Sequence, residues 1–338
     1  MINLFQLFFV FGLILGILIS ISSSSWFGVW VGLELNLMSF VPLVTSVFNR
    51  LYSEAALKYF LIQAFGSVIL LFSVLGYVFS SSLFFLIFLM GSLLLKLGAA
   101  PFHFWFPNVM GGLSWMGVIL LMVMQKITPF VMLNYIYLCV GDYLLIFLVM
   151  SILVGSLGGL NQLLLRVLLA YSSIGHVGWM MGGILVSDVV WFLYFIIYSL
   201  CSLALILFFM WGDINCFSQL YGSLFFSYSY LLFIGLLLIS LGGLPPFLGF
   251  YSKWMVIFGL LNLNYSLICL FMVMFSLIVL YWYLRLGYSL LLGGYDFKGW
   301  LLYGVGGSGM FYLLSFFVVL SLFGFMCVFL VGGWGLLL

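Results

Sequence analysis

Long apolar runs, separated by short stretches of Ser, Gly, Asn and isolated charges, set the pattern of this chain. A membrane-spanning helix needs about 20 consecutive, mostly apolar residues. We count eleven such runs: 3–21, 26–48, 56–79, 83–105, 113–138, 143–162, 166–186, 189–211, 226–258, 262–287 and 309–332. Each is expected to form a transmembrane helix, so the predicted fold class is all-α and polytopic. The ninth run is too long for one straight helix. Leu241-Gly242-Gly243-Leu244-Pro245-Pro246 cuts it, which predicts two half-helices. The fourth run carries a similar breaker at Pro101, five residues after Lys96.

Composition agrees with this pattern. Of 338 residues, 67% are hydrophobic and 4% charged, where a soluble domain carries about a quarter charged residues. There is too little polar surface to cover a water-facing globule, so the solvent is lipid. The N-terminal MINLFQLFFVFGLILGILIS has no basic segment, and it is long enough to span. It is therefore expected to be a mature helix rather than a cleaved signal. A chain this apolar is hard to import, which points to synthesis beside its own membrane.

Charge adds an orientation. With eleven spans, the side holding the N-terminus receives Arg50, Lys58, Arg166, Arg285 and Lys298, and the other side receives Asp142 and Asp188. The positive-inside rule then places the N-terminus toward the cytoplasm or matrix. Trp26, Tyr52, Trp211 and Tyr230, near span ends, suit interfacial belts. The loops near 212–225 and 288–308 are too short and apolar for a soluble domain. Gly304 to Gly309 formally reads GxGxxG, but no strand precedes it and no βαβ unit surrounds it, which argues against nucleotide binding. Cys139, Cys201, Cys216, Cys269 and Cys327 are scattered without a CxxC pair, so neither a disulfide framework nor a cysteine metal site is expected.

The candidate chemistry lies in ionisable residues that no interface accommodates. Glu34, Lys96, Lys126 and Lys253 fall inside apolar runs, and His176 lies about ten residues into the seventh. Burying such a charge costs roughly 2.5–3.5 kcal/mol on insertion scales. The bland alternatives are snorkelling lysines, or pairs that only hold helices together. Snorkelling suits Lys126 poorly, because it sits mid-run. For His103, near a span end, a packing role is favoured, and for His176 packing and function remain open. A free lysine keeps its proton to about pH 10.4, and desolvation weakens that hold. A buried lysine can thus exchange protons near neutral pH, and a carboxylate moving toward or away from it would toggle its affinity. Glu34 is the available carboxylate for Lys96. With His176 as a neutral relay, the set reads as a proton path at mid-membrane depth.

The breakers belong to the same picture. Discontinuous helices near the midplane commonly build ion sites in transporters. Gly98-Ala99-Ala100-Pro101-Phe102 follows Lys96, and Gly243-Leu244-Pro245-Pro246-Phe247 precedes Lys253. The recurrence of GxxPF beside a lysine predicts an internal repeat. Residues 1–140 and 141–290 would be two five-helix units, the second inverted because five is odd. Residues 291–338 would supply a loop and a last transmembrane helix.

Six segments together, GLELNLMSFVPL (32–43), EAALKYFLIQAFGS (54–67), LLLKLGAAPFHFWFPNV (93–109), QKITPF (125–130), LLAYSSIGHVGWM (168–180) and GGLPPFLGFYSKW (242–254), closely resemble the chain 2 family of NADH–ubiquinone oxidoreductase. These are antiporter-like subunits of the membrane arm of respiratory complex I. The resemblance covers about 1–290. It implies proton translocation coupled to electron transfer in other subunits, and location in the mitochondrial inner membrane with the N-terminus on the matrix side. Glu34 matches the family's glutamate that pairs with the first broken-helix lysine, Lys96. Lys126 matches the central lysine and Lys253 that of the second broken helix, while His176 falls in the polar central axis. Eleven spans resemble the animal mitochondrial form, which lacks three helices of the bacterial one. The implied partners are neighbouring antiporter-like and small membrane-arm subunits and lipid, with no nucleic acid. Flavin, iron–sulfur clusters and the nucleotide site belong to other subunits, so no cofactor or metal is expected in this chain. Glu54 and Lys58, four apart at a span's start with Ser53 as a candidate cap, suggest a structural, interfacial pair.

Three alternatives carry weight. A sodium–proton antiporter subunit would share fold and lysines but want clustered oxygen ligands, and Glu34 is the lone buried carboxylate. A purely structural spacer would keep its lysines as relics. An independent oxidoreductase lacks any cofactor motif.

Overall fold

The computed structural model describes residues 4–45, 49–222 and 228–293. The expected eleventh span at 309–332, the Gly304–Gly309 motif, Lys298 and Cys327 lie outside them. Every secondary-structure element in the described residues is helical, apart from an isolated bridge between Leu164 and Cys216. In lipid only helices and closed barrels satisfy all backbone polar groups internally, and an apolar chain without strand alternation takes the first solution.

The helices run in order: α1 (Leu4–Ser22), α2 (Trp26–Thr45), α3 (Arg50–Ser80), α4 (Leu83–Leu97), α5 (Trp105–Gly112) and α6 (Trp115–Ile119). A π-helical turn at Leu120–Met124 leads into α7 (Gln125–Gly158). Then follow α8 (Leu165–Val186), α9 (Asp188–Trp211), α10 (Phe217–Gly222), α11 (Tyr228–Gly242), α12 (Leu248–Asn262) and α13 (Ser266–Gly293). Among the described residues, seven helical stretches are long and apolar enough to cross a membrane unaided: Phe5–Ser22, Trp26–Thr45, Arg50–Ser80, Trp115–Gly141, Leu165–Val186, Asp188–Trp211 and Ser266–Tyr288. Leu83–Leu97, Tyr143–Gly158 and Leu231–Gly242 are apolar but shorter.

The difference from eleven runs has physical causes. The fourth and ninth runs are each split by a Gly–Pro break into two shorter helices. The fifth and sixth are joined through a kink at Val140, whose φ of −136° and ψ of 22° leave the helical region. The third run begins earlier than expected. Its helix starts at Arg50, with Asn49 as the cap whose side chain accepts from the Leu51 N–H. Ser53 instead donates back to the Arg50 carbonyl, so it is not the cap.

Burial sorts the helices. Phe8, Val78, Phe79 and Leu138 are largely exposed and face the lipid side. α8 lies at the centre, with 89% of its spanning window buried, and it packs on α5, α7, α9 and α12. Its small residues allow this. A Cβ at Gly155 of α7 would run into the backbone of Gly175 in α8. Close approach through glycines replaces the hydrophobic drive that lipid removes. At one end of the bundle, Arg166 donates to the Leu113 carbonyl and to Asn215 Oδ1 and lies 4.9 Å from the Trp115 ring. Near the opposite end of α8, Asn134 of α7 donates to Asp188 Oδ1 at 3.0 Å.

Candidate functional site

Two helix breaks and one irregular helix hold the three buried lysines. At the first break, α4 ends at Gly98, whose φ of +71° is left-handed and free of a Cβ penalty. The Ala99 N–H returns to the Leu94 carbonyl at 3.0 Å. The Pro101 ring then prevents the helix from resuming. Side chains bond the carbonyls this frees. Trp105 Nε1 donates to the Leu95 carbonyl at 3.1 Å, and Gln63 Nε2 of α3 donates to the Lys96 carbonyl at 3.3 Å. Lys96 itself lies in the last turn of α4, with its stem against Gly66 of α3.

The second break has the same construction. α11 ends at Gly242, Gly243 follows with φ +84°, and its N–H caps the Ile239 and Ser240 carbonyls at 3.1 Å. Pro245 and Pro246 block continuation. Lys253, one and a half turns into α12, reaches back and donates to the Gly242 carbonyl at 2.8 Å. Its stem lies on the bare face of Gly243, and its ammonium sits 5.8 Å from the Trp179 ring. The order of lysine and break is reversed between the two breaks. The electrostatic location is the same, however: each lysine sits at the carbonyl end of a half-helix, where the helix dipole favours a cation.

Lys126 lies between these breaks. The π turn just before it and Pro129 three residues after it both loosen regular α-helical bonding. Lys126 is only 2% exposed. Its ammonium donates at 3.4 Å to the Ser173 carbonyl of α8 and to the Tyr198 hydroxyl of α9, and it faces the Tyr198 and Phe106 rings at 5.0 and 5.6 Å. His176, one turn beyond Ser173 on α8, lies tilted against the same Tyr198 ring at 4.9 Å. Its Nδ1 is 2.8 Å from the Tyr194 hydroxyl. His176 and Lys253 together line a cavity of about 10 Å³. Lys126, Tyr198, His176 and Lys253 thus form one buried polar line.

Glu34 is half-buried on α2. Its charge acts on Lys96, but the two make no direct ion pair. Among the described residues the direct ion pair is the exposed Glu54–Lys58, at 2.6 Å. The first-break pair is therefore Coulombic rather than bonded. Two residues on, Asn36 accepts from Gln125 Nε2 at 3.1 Å, tying α2 to the residue before Lys126. His103 packs on the Phe104 ring at 4.2 Å, with Nδ1 3.2 Å from the Pro101 carbonyl, apart from the buried line.

Sequence reasoning missed the partners of these groups: Tyr194, Tyr198, Trp179, Gln63 and the Ser173 carbonyl. One signal was present for two of them. Tyr194 and Tyr198 stand four apart, well inside an apolar run, where a hydroxyl needs a buried partner. Among the described residues no group of three or more His, Cys, Asp or Glu is arranged to hold a metal ion. The arrangement suits proton exchange, because Lys126 and Lys253 meet backbone carbonyls, a hydroxyl and rings rather than a carboxylate that would fix their charge.

Residues 23–279 match the family described as NADH:quinone oxidoreductase/Mrp antiporter, TM. The NADH-ubiquinone oxidoreductase chain 2 of Anopheles gambiae is 45% identical over 302 residues, covering 87% of this chain and 88% of that one. The chain 2 protein of Locusta migratoria is 39% identical over 309 residues, covering 88% and 89%. A chain of respiratory complex I from Thermus thermophilus shares the fold, with a TM-score of 0.84 at 24% identity, over 98% of this chain and 79% of that one.

Proposed function

The chain belongs to the NADH:quinone oxidoreductase/Mrp antiporter family, and we propose that it is the proton-translocating, antiporter-like subunit of the membrane arm of a respiratory NADH–ubiquinone oxidoreductase. It resides as a multi-pass protein in the mitochondrial inner membrane, beside other membrane subunits, and electron transfer takes place in partner subunits. Its own work is to bind, hold and pass protons.

In this reading Glu34, Lys96, Lys126, His176 and Lys253 are the proton-transfer groups. The carrying observation is that Lys126 and Lys253 are buried without a carboxylate partner among the described residues, on either side of His176. Both lysine charges act on His176. Like charges repel, the more strongly where little water screens them. Charging one member of the line therefore discourages charge on its neighbour, which moves protons stepwise rather than letting them accumulate. At the entrance, Glu34 acts on Lys96 through space, so a small movement of α2 changes the hold on that proton without breaking a bond.

The finer architecture is part of the proposal: eleven spans, two inverted five-helix units at 1–140 and 141–290, and a terminal unit at 291–338. The matched helix breaks, with lysines at equivalent half-helix ends, support it. The N-terminus faces the matrix, supported by the basic residues gathered on that side. A tag at the N-terminus should accordingly be protected from protease in intact mitoplasts.

The deciding experiment is Lys126→Met in the assembled complex, reconstituted in vesicles with a pH-sensitive dye. Lys126→Met keeps the volume and removes the proton carrier, so pumping should fall. Normal pumping per NADH oxidised would refute proton carriage and favour a structural spacer. Dependence of the normal pumping on sodium would favour sodium exchange instead.

A further inference from the structure

We infer that Tyr194 is a positioning residue that orients His176 so that its Nε2 exchanges protons with Lys253 through water in the small cavity they share. The inference rests on the proton-transfer reading above and adds to it a residue, an atom and a site. His176 is 7% exposed and Tyr194 1%, so neither can turn to bulk water for a partner. The Tyr194 hydroxyl lies 2.8 Å from Nδ1. The other ring nitrogen, Nε2, is buried and has no hydrogen-bond partner among the described residues. Buried polar atoms are normally paired, and each exception calls for a cause.

A cause lies beside it. The cavity that His176 shares with Lys253, Ser172 and Ser276 measures about 10 Å³. A water needs at least about 10–15 Å³ by this measure, and polar neighbours to bond. The cavity is thus near the lower limit for a bridging water. His176 and Lys253 supply nitrogen partners, and the serines supply hydroxyls.

Tyrosine is suited to the opposite nitrogen because its hydroxyl both donates and accepts. When the neutral ring carries its proton on Nε2, the hydroxyl donates to Nδ1. When the ring is protonated, or neutral with the proton on Nδ1, the hydroxyl accepts from Nδ1–H. The ring plane is held in every state. A carboxylate there would stabilise the imidazolium and trap the charge, and a phenyl ring would leave Nδ1 unpaired.

The exchange balances. An imidazolium gives its Nε2 proton to the water, and the water passes one of its own to the neutral Lys253 amine. One N–H bond breaks, one N–H bond forms, and the water is restored. His176 is left neutral with its proton on Nδ1, accepted by Tyr194. The titratable groups facing His176 are Tyr194 and Tyr198 from α9, Lys126 from α7 and Lys253 from α12.

The test is Tyr194→Phe in the intact complex, alone and combined with His176→Gln, with pumping rates normalised to assembled complex. The phenyl ring keeps the packing and deletes one oxygen. Pumping should fall roughly 2- to 10-fold, the range produced by loss of one neutral hydrogen bond, and its pH profile should change shape. In the His176→Gln background, Tyr194→Phe should add nothing, because no ring remains to orient. Unchanged pumping and pH profile in Tyr194→Phe would overturn the inference, as would a full additive loss in the double variant. Normal pumping by Lys126→Met would overturn instead the reading beneath it.

Discussion

Gly243→Ala tests how the second helix break holds its lysine. Gly243 adopts φ +84°, and a Cβ placed there would lie 3.0 Å from both Cδ and Nζ of Lys253. Two costs follow. A non-glycine residue in the left-handed region costs about 1–2 kcal/mol. The methyl also pushes the ammonium off the Gly242 carbonyl, now 2.8 Å away, and a hydrogen bond from a charged group contributes about 1.5–3 kcal/mol. If both costs fall on the native arrangement, the bound lysine position loses about two to four powers of ten in population. The assay is proton pumping by reconstituted complex, with NADH oxidation measured in parallel. Gly243→Asn separates the two costs, because asparagine tolerates left-handed backbone but still carries a Cβ. Pumping should fail in both variants. Recovery in Gly243→Asn would show that strain alone matters, and normal pumping in Gly243→Ala would refute the lysine-on-carbonyl arrangement.

The remaining predictions concern the frame around the lysines. Gln63→Leu strips the donor from the Lys96 carbonyl and leaves a buried acceptor unpaired, so the assembled complex should lose about 1–3 kcal/mol of stability, read as a lower thermal midpoint. Gly155→Val would force α7 off α8 at Gly175; native gels should show little assembled complex, and wild-type levels would refute the close crossing. Asn49→Ala removes the cap of α3 and should cost about 1 kcal/mol, visible as a small fall in thermal midpoint with pumping intact. Glu54→Gln breaks an exposed pair and should leave both stability and pumping unchanged.

Much of the site could be read from residue type alone. A lysine inside an apolar run is so costly that Lys96, Lys126 and Lys253 declared themselves, and Gly-x-x-Pro-Phe marked the breaks beside two of them. What could not be read were the acceptors that Lys126 and Lys253 use. Those acceptors are mostly backbone carbonyls, at Ser173 and Gly242, and every residue has one, so composition carries no trace of which is exposed. The Glu34–Lys96 relation shows the opposite limit. Their types suggest a bonded pair, but whether they touch depends on how α2 sits against α4, which no local pattern encodes. The π turn before Lys126 was also silent, because the apolar run continues through it, whereas the kink at Val140 falls in the gap between the fifth and sixth runs. The Asn49 cap was legible in principle, since asparagine is a strong N-cap type, but Ser53 lay nearer the expected start of the run.

α8 supplies Ser173 to Lys126, Trp179 to Lys253 and His176 between them, and its spanning window is 89% buried, compared with 22% for α1 and 28% for α3 and α13. A residue on α1 or α13 answers mainly to lipid, which accepts any apolar shape. A residue on α8 answers to two proton sites and four neighbouring helices at once. Over generations, the outer helices are therefore free to drift among Leu, Ile, Phe and Met, while α8 can change only where several neighbours change with it. Ranked by the substitutions it tolerates, α8 should fall last among the spans, and a harmless-looking methyl at Gly178 or Gly183, where a Cβ would meet side chains of α7 or the backbone of Trp191, should be rarer than a charge lost at Glu54.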